Sequence, residues 1–233
     1  GESFLDTKSA NNLFYSLKNF LLKNNKFTDE WNPLNILSTD AATVGNLDLD
    51  IINEKENLIK DLNENKFELI YLLGQDSLNF NKKNEFIIYQ GSHGDKGAEI
   101  ADIILPGAAY TEQTAYFTNL EGKIQKAYKA SYPPGEAKED WQIINEIAET
   151  MNNRKLFNDK SELESSMLNY VKLKKEKQKS ISVNEINQNN FENEYLEVKF
   201  KDYYFSNVIT RSSKTMVDCN NSKIKIKRTG TEG

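Results

Sequence analysis

The spacing of apolar residues predicts an amphipathic helix near the start of the chain. In residues 9–23, four apolar side chains recur at the spacing of one helical face: Leu13, Leu17, Phe20 and Leu21. Pro33 interrupts a short apolar stretch, and residues 35–45 show no clean period. Residues 56–65 then have the length of a short helix.

Three continuous apolar runs follow, and they predict three strands. The runs FELIYLLG at 67–74 and EFIIYQG at 85–91 are typical of strands buried on both faces, as in a parallel sheet between helices. A glycine-containing loop and one turn of helix separate the second run from the third, ADIILPG at 101–107. This order of elements favours a right-handed parallel crossover.

The next segment changes period. In YFTNLEGKIQKA, residues 116–127, alternating side chains flank a turn that contains Gly122. Period-two alternation around a glycine-containing turn predicts a β-hairpin.

Two helices are predicted after the hairpin. The stretch SYPPGEAKED at 131–140 places prolines and acidic residues before and within a first helical turn, where the helix dipole favours negative charge. The apolar side chains on one face of this helix are Trp141, Ile144, Ala148 and Met151. Ser161 and Glu164 have the spacing of a capping box at the start of another helix.

The amino-acid composition of the chain changes at about residue 172. A charged run and a polar segment lead to an aromatic-rich stretch and a basic end, KIKIKR at 223–228. We therefore expect an α/β domain over residues 1–157, with a mostly parallel sheet flanked by helices. Residues 158–233 are expected to form a helix, a polar linker and an extended C-terminal docking tail.

Composition narrows the chemistry available to this chain. It has 233 residues, one cysteine (Cys219) and one histidine (His93), which excludes a disulfide framework and any metal centre built from several Cys or His residues. No run approaches 18 consecutive apolar residues, so no membrane span is expected. The net charge of −5 argues against a nucleic-acid binder that relies on global charge.

The loop GSHGDKG, Gly91–Gly97, is the first candidate for a chemical site. A glycine-rich turn at a helix N-terminus can offer backbone N–H groups to an anion, but this spacing matches neither the dinucleotide fingerprint nor Walker A. Three tight backbone turns between the strand and the helix are the favoured interpretation. Asp95 could orient His93 for acid–base work, although no nucleophile accompanies the pair. Asp76 and Asp102, at strand edges, are interpreted as caps.

The tail carries a second kind of candidate. Aromatic residues, Arg and Met are enriched where one protein docks on another. The tail residues of these types are Tyr203, Tyr204, Phe205, Arg211 and Met216. They either dock on a partner or fold back on the parent domain. Cys219 is interpreted as an inert thiol because no basic or His residue accompanies it.

Two stretches together resemble a known family. Residues 89–125, YQGSHGDKGAEIADIILPGAAYTEQTAYFTNLEGKIQ, and residues 133–141, PPGEAKEDW, are similar to the C-terminal part of the large iron–sulfur (75 kDa) subunit of respiratory complex I. Residues 31–42 and 201–219 also match, more weakly. That part of the subunit has a molybdopterin-oxidoreductase-like fold.

The resemblance implies a structural, redox-inactive role in NADH:ubiquinone oxidoreductase. FMN and 2Fe-2S/4Fe-4S clusters are then expected in other chains or in the cluster-bearing N-terminal half, and this chain supplies no catalytic, cofactor or metal residue. The implied partners are peripheral-arm subunits at the matrix side of the mitochondrial inner membrane, or at the cytoplasmic face of a bacterial membrane. Two alternatives are a fragment of a molybdopterin enzyme such as a formate dehydrogenase, and a small nucleotide-binding α/β protein.

The chain departs from that family in its length, because the family's large subunit is several times longer. The chain begins at Gly1 and is rich in Asn, Lys and Ile, as proteins from AT-rich genomes are. Two explanations of the shorter length are open: the chain is trimmed or processed from a longer subunit, or a separate gene encodes the C-terminal half. The second hypothesis predicts another polypeptide that carries the cysteine-rich half.

Overall fold

The computed structural model describes residues 4, 7–28, 32–38, 40–51, 58–76, 78, 80–177 and 202–226. These residues form the following helices and strands, in chain order: α1 Ala10–Lys23, α2 Thr43–Asp48, α3 Leu58–Asn63, β1 Leu69–Leu73, β2 Phe86–Gly91, α4 Lys96–Glu99, β3 Ile103–Pro106, β4 Ala115–Thr118, β5 Ile124–Ala127, α5 Asp140–Asn152, α6 Lys160–Lys177, α7 Val208–Ser212 and α8 Lys214–Ile226. No helix of the described part is long and apolar enough to cross a membrane.

The chain divides into two compact units, each built from three separate segments. The first unit contains residues 1–54, 115–127 and 157–199. The second unit contains residues 55–114, 128–156 and 200–233. The sequence predicts two consecutive regions with a boundary at residue 157. Each of the two units instead combines segments from both sides of that position.

The second unit is built on a parallel sheet with strand order β1-β2-β3. In its register Leu72 pairs with Tyr89, and Tyr89 pairs with Ile104. One face of this sheet packs into the core, whose buried side chains are Leu62, Leu72, Phe80, Ile87 and Tyr89. The predicted α/β class, the three strands and their parallel pairing are confirmed.

The expectation that the first strand is buried on both faces is wrong. In β1, Leu72 is buried and points to the core, but Leu69 and Leu73 on the opposite face are about half exposed. An apolar run shows that a strand is fit for burial, but it does not show how many faces the described chain covers. The central strand β2 is the more deeply buried, with Ile87 fully enclosed.

The first unit contains the predicted hairpin. Strands β4 and β5 pair antiparallel, and Gly122 in their connection has a φ of 80°, a left-handed conformation that glycine adopts without strain. The side chain of Asn119 closes the turn by accepting hydrogen bonds from the backbone N–H groups of Glu121 and Lys123 at 3.0 and 2.9 Å. The hairpin prediction is confirmed.

Helix α6 is attached to the hairpin and to α2 by charged side chains. Glu164 accepts hydrogen bonds from Lys126 at 2.8 Å and from Tyr116 at 3.0 Å, and the Lys126 contact lowers the pKa of Glu164. Near the other end, the Lys174 ammonium donates to the carbonyl oxygen of Leu47 at 2.6 Å. Helix α2 itself was not predicted, because its short sequence TVGNLD has no apolar period.

Two details of the later helices correct the sequence interpretation. In α5 the buried side chains are Ile143 and Asn145, whereas the expected face is partly solvated, with Met151 largely exposed. The burial of Asn145 is offset by a hydrogen bond, since its side-chain oxygen accepts the Leu156 N–H at 2.8 Å, and apolar periodicity cannot reveal such a contact. Helix α6 is capped by Asp159, which accepts the Glu162 N–H at 2.9 Å, and not by a Ser161–Glu164 box.

The expected tail contains two helices, α7 and α8, in residues 208–226. The polar linker expected from the sequence falls in residues 178–201, which lie outside the described residues. Residues 227–233, which include the end of the basic run, also lie outside them.

Candidate docking site

The five docking candidates of the tail lie in two environments. Tyr203 is 82% exposed, and its ring meets the edge of the Tyr204 ring at 5.4 Å between centroids. Tyr204, Phe205 and Met216 are half-buried. Arg211 is also partly buried, because it makes ion pairs within the second unit.

Local hydrogen bonds explain why α7 begins where it does. The side chain of Asn207 accepts the Thr210 N–H at 3.0 Å, and the Asn207 N–H donates to the Thr210 hydroxyl at 3.1 Å. This reciprocal pair is a capping box, and it satisfies the donors that a helix N-terminus leaves free. It fixes α7 so that Arg211 lies in the last turn of the helix.

Arg211 binds two carboxylates that lie more than 100 residues before it. Its Nε donates to Asp95 Oδ2 at 2.8 Å and its Nη2 donates to Asp76 Oδ2 at 2.7 Å. The Arg211 side chain is 30% exposed, and the Asp76 side chain is 13% exposed. The hydrogen bond from Arg211 is the main reason that the pKa of Asp95 lies below its usual range. The pair joins α7 to the loop after β1 and to the glycine loop.

Asp76 was expected to be a cap, and the structure gives it this ion pair instead. Asp102 does bind a backbone group, because its Oδ2 accepts the Ile87 N–H of β2 at 2.8 Å. Its Oδ1 accepts a hydrogen bond from the Lys82 ammonium at 2.6 Å. These two contacts hold the pKa of Asp102 below its usual range, with the Lys82 contact as the larger cause.

The glycine loop is closed around the Tyr89 side chain. A Cβ added at Gly91 would lie 2.3 Å from the Tyr89 hydroxyl oxygen, and a Cβ at Gly97 would lie 2.6 Å from the Gln75 carbonyl oxygen and 2.8 Å from the Tyr89 ring. Gly94, by contrast, faces open space. The hydroxyl of Tyr89 donates to the carbonyl oxygen of His93 at 2.9 Å. Gly91 and Gly97 therefore permit close packing on a buried ring.

Tyr89 is a buried phenol beside two carboxylates. It is 2% exposed, and this burial is the main reason its pKa is raised, with the negative charges of Asp76 and Asp95 adding to the effect. The hydroxyl thus remains a neutral donor to the loop at physiological pH. Its role here is structural.

The His93–Asp95 pairing considered from the sequence is not assembled. The Nδ1 atom of His93 lies 2.9 Å from the Ser92 hydroxyl. Asp95 instead caps α4, accepting the Lys96 N–H at 2.9 Å, and binds Arg211. The carboxylate that could have oriented the imidazole therefore has other donors.

A second polar cluster was missed by the sequence interpretation. Asp140, the first residue of α5, accepts from the Gln90 amide at 2.7 Å and from the Gln113 amide at 2.9 Å. Gln90 is fully buried, and its side-chain oxygen accepts from the Tyr71 hydroxyl. A Cβ at Gly107 would lie 2.9 Å from the Asp140 carboxylate.

The signal for this cluster was present in the sequence. Gln90, Gly107 and Gln113 all lie in the stretch 89–125 that carries the resemblance, and Asp140 lies in the flanking PPGEAKEDW. Polar residues inside such a motif are candidates for one shared hydrogen-bond network. Their convergence on one carboxylate depends on the fold, because 50 residues separate Gln90 from Asp140.

The described part of the chain contains no group of three or more His, Cys, Asp or Glu side chains that could hold a metal ion. Cys219 is exposed on α8.

This fold and these motif stretches correspond to a known class of protein. Residues 1–150 match the family model of the molybdopterin oxidoreductases, so the chain belongs to that family. Residues 162–219 match a second model, which describes the C-terminal region of an NADH-ubiquinone oxidoreductase subunit.

Individual relatives agree with both matches. The chain is 40% identical, over 82% of its length, to the 75 kDa subunit of NADH-ubiquinone oxidoreductase from Reclinomonas americana, and it covers 29% of that protein. It is 35% identical, over 94% of its length, to the mitochondrial 78 kDa subunit from Candida albicans, covering 32% of it. An NADH-quinone oxidoreductase subunit from Rickettsia bellii is 38% identical over 89% of the chain, which covers 30% of it. The chain thus spans about a third of the length of these relatives.

The family name implies a molybdopterin cofactor, and the glycine loop does not fit it. The N-terminus of α4, where a phosphate group would bind, already holds the Asp95 carboxylate. The cation beside it, Arg211, is paired with Asp76 and Asp95. The spaces beside Gly91 and Gly97 are filled by the Tyr89 ring. These residues form a closed cluster of one guanidinium and two carboxylates, which is unsuited to an anionic cofactor.

Proposed function

We propose that this chain is the C-terminal portion of the large iron–sulfur subunit of NADH:ubiquinone oxidoreductase, where it acts as a structural, redox-inactive support. The single observation that carries the proposal is a pair of consecutive matches. Residues 1–150 match the molybdopterin oxidoreductase model, and residues 162–219 match the C-terminal model of an NADH-ubiquinone oxidoreductase subunit. The order of the two matches is the order expected of the C-terminal part of the large subunit.

The geometry supports a structural role for the residues that carry the resemblance. Tyr89 and Asp140 use their polar groups to bind other parts of the second unit, at 2.9 Å to the His93 carbonyl and 2.7 Å to the Gln90 amide. Buried polar groups that are satisfied in this way rigidify a fold and specify a unique core. The comparisons give no support to a formate dehydrogenase fragment or to a nucleotide-binding protein.

The cofactors of the proposed assembly are FMN and 2Fe-2S/4Fe-4S clusters, bound by other chains or by the N-terminal part of the same subunit. The partners are the other subunits of the peripheral arm. The location is the matrix side of the mitochondrial inner membrane, or the cytoplasmic face of a bacterial membrane. Support comes from the names of the relatives, which include a mitochondrial and a bacterial protein.

The tail is proposed to dock on a neighbouring subunit through Tyr203, Tyr204, Phe205 and Met216, with Arg211 fixing the start of the tail helices on the second unit. The high exposure of Tyr203 supports this. A functional boundary near residue 157 is also proposed, supported by the gap between the two family matches, at 151–161.

Co-fractionation tests the proposal. Membranes from the source organism are solubilised, separated by native electrophoresis and stained for NADH oxidation, and the chain is followed by mass spectrometry. It should co-migrate, in one copy, with the band that oxidises NADH and contains iron and FMN. The purified chain should bind no iron, molybdenum or flavin in stoichiometric amount. A chain that migrates separately from this band would overturn the proposal.

A further inference from the structure

The glycine loop, residues 91–97, covers the side chain of Tyr89. This side chain is 2% exposed, and its hydroxyl donates to the His93 carbonyl oxygen at 2.9 Å. A Cβ added at Gly91 would lie 2.3 Å from the hydroxyl oxygen, and one added at Gly97 would lie 2.8 Å from the ring. The loop backbone therefore lies against the side chain, and the burial of Tyr89 depends on a closed loop.

Little regular structure holds this loop in place. Ser92, His93 and Gly94 belong to no helix or strand of the described chain, and Gly94 faces open space. Helix α4, at the end of the loop, is a single turn of four residues. Segments with few packed contacts open at a lower free energy than core strands do. The glycine loop is thus a segment that can open while the sheet stays folded.

Arg211 of the tail binds this loop and a neighbouring one. Its Nε donates to Asp95 Oδ2 at 2.8 Å, and Asp95 Oδ1 accepts the Lys96 N–H at 2.9 Å at the start of α4. Its Nη2 donates to Asp76 Oδ2 at 2.7 Å, in the loop after β1. One side chain of α7 therefore holds the glycine loop against the loop that follows the adjacent strand.

The partners in this contact come from the two regions that match different family models. Asp76 and Asp95 lie within residues 1–150, whereas Arg211 lies within residues 162–219. Arg211 and Asp95 are 116 residues apart in the chain. The second matched region thus supplies the cation that holds a loop of the first.

We propose that α7 and α8 act as a latch, which keeps the glycine loop closed over Tyr89 through the contact between Arg211 and Asp95. Release of α7 frees Asp95, the loop opens, and the Tyr89 side chain becomes accessible to solvent while the β1-β2-β3 sheet stays folded. Coupling between two parts of a protein is reciprocal, so an open loop also loosens the hold on α7. This inference concerns the chain by itself and does not depend on the proposed function.

Nitration of tyrosines in the full chain, without denaturant, tests the latch. Tetranitromethane should modify the exposed Tyr128 and Tyr132 in every variant and should leave Tyr89 protected in the wild type, as measured by mass spectrometry of the peptides. Arg211→Gln should raise the nitration rate of Tyr89 about tenfold, because a charge-assisted hydrogen bond no longer opposes local opening. Hydrogen exchange of residues 92–95 should become faster in the same variant.

Asp140→Ala separates local opening from a general loss of stability. This variant weakens the second unit at the buried Gln90 amide and leaves Arg211 with both of its carboxylates. Its Tyr89 nitration rate should rise much less than that of Arg211→Gln. An equal rise in the two variants would show that Tyr89 reacts through global unfolding, and it would overturn the latch.

Asp95→Asn tests the reciprocal direction. Asparagine keeps a side-chain oxygen that can accept the Lys96 N–H, but it lacks the charge that binds Arg211. Hydrogen exchange of residues 208–212 should become faster, and Arg211→Gln in this background should add little to the nitration of Tyr89. Unchanged nitration of Tyr89 in Arg211→Gln, or additive effects of the two substitutions, would mean that loop and tail open independently and would refute the proposal.

Discussion

Arg211 and Asp76 are 135 residues apart in the chain, and the Arg211 Nη2 atom donates a hydrogen bond to Asp76 Oδ2 at 2.7 Å. The same guanidinium reaches Asp95 at 2.8 Å, so one side chain holds a tail helix against two separate loops. Its planar fork is suited to two carboxylates at once, which a lysine ammonium cannot match in geometry.

Replacing Arg211 should release the tail helices from the second unit. Arg211→Gln leaves two partly buried carboxylates without their cation, and we expect a loss of about 1–3 kcal/mol in the free energy of unfolding. Arg211→Lys should recover only part of that loss. Hydrogen exchange of residues 208–222, followed by mass spectrometry, should become faster in Arg211→Gln.

Lys155→Gln is the control for this experiment. Lys155 and Glu149 form an exposed pair at 3.8 Å, so its loss should change the free energy of unfolding by less than about 0.5 kcal/mol. Unchanged exchange of the tail in Arg211→Gln would show that other contacts hold α7 and α8.

The ion pair predicts a specific pH dependence. The pKa of Asp95 is lowered chiefly by the hydrogen bond from Arg211, so it lies below the unfolded value of about 4. The stabilisation by this carboxylate is therefore full above about pH 4 and is lost as the pH falls through the lower, folded-state pKa. The difference in unfolding free energy between wild type and Asp95→Asn should shrink over that acidic range, measured by urea titration.

The Arg211→Gln background separates this effect from that of other carboxylates. Without the guanidinium, the pKa of Asp95 should move back toward its ordinary value, and Asp95→Asn should then have a much weaker pH-dependent effect. The same pH dependence in both backgrounds would contradict the assignment of the pKa shift to Arg211.

The glycine loop can be tested by adding single methyl groups. Gly91→Ala places a Cβ at 2.3 Å from the Tyr89 hydroxyl, and because that ring is buried it cannot move aside at little cost. We expect a destabilisation of about 1–3 kcal/mol, the usual cost of overpacking a core. Gly94→Ala, which faces open space, is the matched control and should be neutral or slightly stabilising. Equal thermal midpoints for the two variants would refute the close packing of this loop on Tyr89.

The Asp140 network should be a stability determinant of the second unit. Asp140→Ala removes the nearer acceptor of the fully buried Gln90 amide, at 2.7 Å, and leaves only the long contact to the Asp140 backbone carbonyl at 3.4 Å. A poorly satisfied buried donor costs about 1–3 kcal/mol. Glu149→Ala, an exposed residue of the same helix, controls for the change to alanine and should cost less than about 0.5 kcal/mol. Urea unfolding of the two variants gives the comparison, and similar stabilities would show that Gln90 finds another partner.

Local sequence determined most of the helices and strands. Continuous apolar runs predicted β1, β2 and β3, and alternation around Gly122 predicted the hairpin, because these signals depend on neighbouring residues alone. The family, too, was recognised from contiguous motifs. A short helix without apolar period, α2, gave no such signal.

Only the tertiary structure decided which groups meet. Arg211 was a docking candidate and Asp76 a cap until the fold placed them 2.7 Å apart, and Asp140 had no assigned role until two glutamines converged on it. The same holds for burial: an apolar strand is fit to be covered on both faces, but whether a face is covered depends on distant segments of chain. The spacing of apolar residues along a sequence indicates a helix or a strand, because each has its own period. Which side chains meet is decided by packing between residues far apart in the chain, and this spacing does not record it.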